Sequence, residues 1–229
     1  MKTTNKLTLA LAGLTLAAGL HAQSTTTAVP APRSVASSSS AGLIGTPYTE
    51  LKFGVQDIKG NSSHAYSIGA GANTVLVPRQ LDGGASYAYS RIGGASRGHT
   101  NTIGGYLTAY APTPSYLNDV GFLRSAKPFI SANAGWEWSS YPTGSDDQPL
   151  WGASVGIEIP AGAVTITPRL SYSDDFEGTS RSSQSVGAAV EVNYWYSPTM
   201  AFFGSAGESG LRHSNRSARN FFIGLRSRL

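Results

Sequence analysis

One short pattern recurs about ten times along this chain. Between Gln184 and Tyr196, residues Val186, Ala188, Val190, Val192, Tyr194 and Tyr196 fall on one parity. Gly187, Ala189, Glu191, Asn193 and Trp195 fall on the other. Successive side chains of a strand point to opposite faces, so the segment has one continuous apolar face and one small or polar face. When that pattern runs to the last residue behind an export signal, a closed barrel with its apolar side outward is the expected fold.

The export signal is read from the first residues. Lys2 and Lys6 precede an apolar stretch from Leu7 to Leu20, and Ala22 offers a small residue at the cut. The stretch is too short to span a bilayer, so residues 1–22 are expected to be a secretory signal. Residues 23–46 are rich in Ser, Thr, Ala and Pro and show no periodicity. Such sequence cannot bury enough apolar surface to offset its ordering entropy, so it reads as a disordered tether. Residues 47–229 are then the barrel.

Composition fits this division. The chain has 17 basic and 13 acidic residues, and losing Lys2 and Lys6 leaves a small, dispersed positive charge. That excludes a nucleic-acid footprint. Cys is absent, which removes disulfides and thiolate metal sites. Charged residues make up only 13%, yet mean hydropathy is −0.13. A barrel wall reconciles the two, because only every second residue has to be apolar.

Ten strands are expected, with eight as the alternative: Tyr48 to Lys59, Ala65 to Val77, Gly84 to Ile92, Asn101 to Ala111, Pro128 to Ser140, Leu150 to Ile159, Ala163 to Ser173, Gln184 to Tyr196, Thr199 to Ala206 and Ala218 to Leu229. Pro168 interrupts the seventh and predicts a bulge or local break. Tight turns at 160–162 and 197–198 alternate with longer polar connections at 59–64, 93–100, 141–149, 174–183 and 207–217. Short turns on one side and long loops on the other are what outer-membrane barrels show. Residues 112–127 are the misfit, with a helical turn expected around Ser115 to Val120. Trp136, Trp138, Trp151 and Tyr172 fall outward near the loop ends of their strands, and Tyr194 and Tyr196 outward near the turn end. Two aromatic belts result.

The chain resembles the small monomeric outer-membrane β-barrel proteins of Gram-negative bacteria, the OmpA-like, OmpX-like and OmpW-like group. The resemblance lies in pattern from Tyr48 to Leu229 and is most local in the last strand, where Gly224 matches the assembly signal and Phe221, Ile223, Leu225 and Leu229 share a face. Leu229 replaces the usual terminal aromatic, and Ser227 takes a position that is normally apolar. The resemblance implies the outer membrane as location, with lipid, lipopolysaccharide and the barrel-assembly machinery as partners.

Little in the sequence points to chemistry. His213-Ser214-Asn215 is one residue short of the spacing in lipid A deacylases, which sends His213 and Ser214 to opposite faces, and no carboxylate follows to complete a triad. His64 and His99 read as solvated loop residues. Asp146, Asp147, Asp174, Asp175 and Glu177 form an oxygen-rich set suited to divalent ions, but read first as solvated loop charges, so no metal and no cofactor are expected. Arg212, Arg216 and Arg219 are candidate contacts to lipopolysaccharide phosphates.

Inward parity collects Glu50, Lys52, Gln56, Glu137, Glu158, Arg169, Glu191, Arg226 and Arg228. Charges at membrane depth must be paired or wetted, so a salt-bridged lumen is expected, with Arg169 opposite Glu191 and Arg226 opposite Glu50. The sequence thus favours a non-catalytic barrel with a structural or surface-interaction role. The alternatives are a narrow channel for small solutes, a barrel enzyme acting on lipid, and a soluble exported β-sandwich adhesin.

Overall fold

The computed structural model describes residues 42–58, 64–93, 97–115, 119–175, 184–211 and 217–229. The expected signal and most of the expected tether lie outside the described residues. Ten strands follow in order: β1 (Tyr48–Ile58), β2 (His64–Val77), β3 (Leu81–Ile92), β4 (Gly98–Tyr110), β5 (Lys127–Tyr141), β6 (Gly144–Ala161), β7 (Val164–Asp175), β8 (Ser185–Trp195), β9 (Met200–Leu211) and β10 (Ser217–Arg228). Each pairs antiparallel with its sequence neighbours, and β1 closes on β10, so no sheet edge remains. Closure runs from Tyr48 opposite Arg228 to Ile58 opposite Ala218 and sets Glu50 against Arg226. This is the expected register, one of those that parity and antiparallel closure allow.

Alternation explains the wall. Phe53, Ile68, Leu107, Ile130, Leu170, Val190 and Ile223 are exposed on the outside. Lys52, Gln56, Asn73, Ser86, Thr100, Asn193 and Arg226 are buried inside. The burial order is thus inverted relative to a water-soluble domain. Trp136, Trp138, Tyr194 and Tyr196 are exposed on the outer face. Trp151 stacks beside Tyr172 with ring centroids 5.4 Å apart.

Three turns at the end that carries both strand termini are tight: 78–80, 162–163 and 196–199. Gly162 supplies the positive φ of 64° that the second of these needs. The remaining link at this end contains a 3-10 turn at Gly121–Leu123; of the helical turn expected around Ser115 to Val120, Ser115 is itself 3-10 and residues 116–118 lie outside the described residues.

Other boundaries also differ from the sequence expectation. The loop expected at Tyr141 to Pro149 is instead the continuation of β5 and β6 to a tight hairpin, with Asp146 opposite Ser139 and Asp147 opposite Trp138. Strands that project beyond the apolar band no longer need an apolar face, so alternation is not visible there. His64 and His99 lie on strands, not loops: His64 Nδ1 sits 3.4 Å from Asp57, and His99 stacks on Tyr89. Pro168 interrupts the β6 ladder, which lacks the pairs between Gly156–Arg169 and Ile159–Ile166, but register does not shift and no bulge forms. The register shift lies instead between Val75 and Val77 of β2.

Candidate functional site

The lumen is the site, and it is layered. Two residues in from the end where β1 starts and β10 stops, the Arg226 side chain of β10 reaches Glu50 of β1 and Glu191 of β8. Its Nε donates to Glu50 Oε2 at 2.7 Å, and Nη1 donates to Glu191 Oε1 and to Asn193 Oδ1. Nη2 donates to Glu191 Oε2 at 3.1 Å. Lys52 Nζ adds a contact to Glu50 at 3.3 Å. The guanidinium lies 4.0 Å from the centroid of the Phe203 ring, where the ring face favours a cation. Beside it, Tyr106 donates to Asn73 at 3.0 Å, and Tyr48 and Tyr106 face each other at 3.4 Å. Two carboxylates and two cations thus share one buried layer, paired as buried charges require.

Nearer the end with the tight turns lies a second layer, and the chain itself completes it. Residues 42–46, expected to belong to the tether, enter the barrel mouth. Glu158 Oε2 accepts the Leu43 N–H at 2.6 Å and the Ile44 N–H at 3.1 Å. Asp82 accepts the Gly45 N–H at 2.7 Å and the Tyr110 hydroxyl at 3.3 Å. Lys127 donates to the Ile44 carbonyl at 2.6 Å, Arg228 to that of Gly42 at 2.8 Å, and Asn73 to that of Thr46 at 3.2 Å. Leu43 packs on Trp195, Ala201 and Tyr48. Backbone groups leaving water need partners, and here five strands supply them. The tether expectation is therefore corrected for these five residues. Gly45 has φ of 80°, and a Cβ there would come 2.9 Å from the Tyr110 hydroxyl.

Toward the loop end the lumen opens into small polar side chains, among them Ser131, Asn133, Ser154, Ser171 and Ser205, around a cavity of about 200 Å³. Arg169 lines it. Arg169 does not face Glu191 as expected: it is opposite Ala189, and Glu191 is opposite Thr167. The register is shifted by two, because residue counts in a long connection fix parity but not pairing. Higher on β5, buried Glu137 is held by Ser139 at 3.3 Å and Gln148 at 3.4 Å.

The remaining candidates separate from this network. Arg219 faces outward and pairs with Glu208 at 3.5 Å. Arg212, Arg216, His213, Ser214 and Glu177 lie outside the described residues. Asp174 accepts the Tyr172 hydroxyl at 2.9 Å. Among the described residues no group of three His, Asp or Glu is placed to hold a metal ion. Sequence reasoning missed Asp82 and Lys127, because the third strand was begun three residues late and the fifth one residue late. Tyr106 and Asn193 sat on inward parity and could have been found there.

No protein-family model and no curated protein sequence matches the chain. Solved structures with similar arrangement include three barrels. The translocator domain of autotransporter NalP from Neisseria meningitidis has a TM-score of 0.48 at 8% identity, covering 80% of this chain and 88% of that one. Neisserial surface protein A has a TM-score of 0.38 at 12% identity, covering 80% and 96%. The KdgM porin in complex with disordered oligogalacturonate has a TM-score of 0.39 at 10% identity, covering 79% and 98%.

Proposed function

We propose that this chain is a non-catalytic, monomeric outer-membrane β-barrel with a structural or surface-interaction role and a lumen closed to solutes. The observation that carries this reading is the inverted wall. Its exposed face holds Phe53, Ile130, Val155, Leu170 and Ile223 at 51–68% exposure, while ionised side chains turn inward. An apolar surface of that extent has no stable place in water, and closure leaves no strand edge unpaired in lipid. The two aromatic girdles mark the headgroup levels.

Closure to solutes is supported by the two layers across the lumen, the ion-paired one around Arg226 and the one completed by residues 42–46. At the loop-side rim, Arg219 on β10 and the opposed pair Arg91 and His99 on β3 and β4 are proposed to meet lipopolysaccharide phosphates. The outward row Phe221, Ile223, Leu225 and Leu229 is proposed as the surface read by the barrel-assembly machinery.

Reconstitution into planar bilayers tests the reading. Silent bilayers with fully inserted protein are expected. Reproducible current steps would favour a narrow solute channel, and failure to insert at all would leave a water-soluble barrel.

A further inference from the structure

Among the described residues the lumen is closed at the tight-turn end, and one cavity runs from Leu43, Ile44 and Glu158 past Arg226 to the serines nearer the loop end. A tube closed this way is a cup, and the lining of the cup is chemically one-sided. We infer that it binds a small oxyanion, a carboxylate or phosphate group, with Arg169 as its anchoring cation. This rests on the closed-lumen reading above.

The charges at the floor decide the sign. Arg226 is saturated by Glu50 and Glu191, and Lys52 leans on Glu50. Arg169 has no hydrogen bond or ion pair with any described residue, yet it lines the same cavity as these groups. Of the four carboxylates that line the cavity, Glu208 pairs with Arg219 and Glu158 has Lys127 4.0 Å away, so three cations face the remaining two and the surplus charge is positive. Glu158 lines the lower end, where the N–H groups of Leu43 and Ile44 occupy it. Glu137 does not line this cavity.

Space and lining decide the class. The strand neighbours of Arg169 are the small residues Gly156 on β6 and Ala189 on β8. A Cβ on Gly156 would meet the Phe129 ring at 2.6 Å, which keeps that position small. A guanidinium fork matches two oxygens of a carboxylate or phosphate. Ser154, Ser171, Ser205 and Asn220 supply hydroxyl and amide partners around it. A volume of about 200 Å³ holds about six or seven waters, which suits an anion of comparable size bearing hydroxyl groups.

Calorimetric titration of the full chain, folded in detergent, tests the inference with glycerate and inorganic phosphate as probes and glycerol as the uncharged control. Glycerate is expected to bind with a Kd of about 1 mM or tighter and glycerol not to bind. Arg169→Met should weaken glycerate about tenfold or more. Arg169→Lys, which keeps the charge and the fold, should weaken it less because the fork is lost. Absence of heat with both anions, equal binding of glycerol, or unchanged affinity in both variants would overturn the site. Current steps in bilayers would refute the closed-lumen reading while leaving a measured anion site standing, so the two failures are told apart.

Discussion

Replacing Glu158 by Gln should release residues 42–46 from the barrel mouth while the wall stays intact. Glu158 is 1% exposed. Its Oε2 accepts Leu43 N–H at 2.6 Å and Ile44 N–H at 3.1 Å, and its Oε1 lies 3.3 Å from the Ile44 nitrogen. A glutamine has one acceptor oxygen, and its amide nitrogen would point a donor at a donor. The glutamine oxygen can keep both N–H partners, but they lose a charged acceptor and the new amide donor faces the Ile44 N–H and Lys127 Nζ, a loss of about 1–3 kcal/mol. Because the segment opens without the barrel unfolding, the loss appears in local opening. Amide exchange at Leu43 and Ile44 should accelerate by roughly 5- to 150-fold. Exchange on β5 and β6 should be unchanged. Equal protection of Leu43 and Ile44 in both proteins would refute the assignment of Glu158 as the acceptor that holds the segment.

Val190→Arg places a charge on the outer face at a position 46% exposed. It should cost about 2–4 kcal/mol in lipid near the midplane, read from denaturant midpoints in vesicles; wild-type stability would remove the lipid-facing assignment. Arg226→Met leaves Glu50 and Glu191 without their shared cation in a layer only 6–12% exposed. Unfolding in detergent should move by about 3–5 kcal/mol, and a shift below about 1 kcal/mol would mean water already screens the layer. Cysteines at 51 and 225, opposed across the closing seam, should crosslink readily because such Cβ atoms lie about 4.5–5.5 Å apart. A crosslink between 51 and 223 but not 225 would move the register by two.

The parity of each strand was enough to place Glu50, Lys52, Glu191 and Arg226 inside and Trp136, Trp138, Tyr194 and Tyr196 outside, since a side-chain period of two is a property of the backbone. Closure between the first and last strands followed from an even strand number. The same logic could not set the pairing of β7 with β8, where two registers of equal parity differ in whether Arg169 or Thr167 faces Glu191. Nor could it extend β5 and β6 past Ser140 and Leu150, where both faces meet polar surroundings and Asp146 and Asp147 read like a loop.

The sequence by itself therefore determined which side of the wall each residue takes, because that depends only on neighbours two positions apart. Only the closed tertiary structure decided which inward residues meet. Arg226, Glu50 and Glu191 come from three strands, and the N–H groups of Leu43 and Ile44 reach a carboxylate more than a hundred residues away. Residues 42–46 carry no periodicity, so their order arises from acceptors and donors on β2, β3, β5, β6 and β10 and from the packing of Leu43 on Trp195 and Ala201. Those groups converge because closing the sheet brings five distant strand ends to one mouth, where exposed backbone groups must find partners.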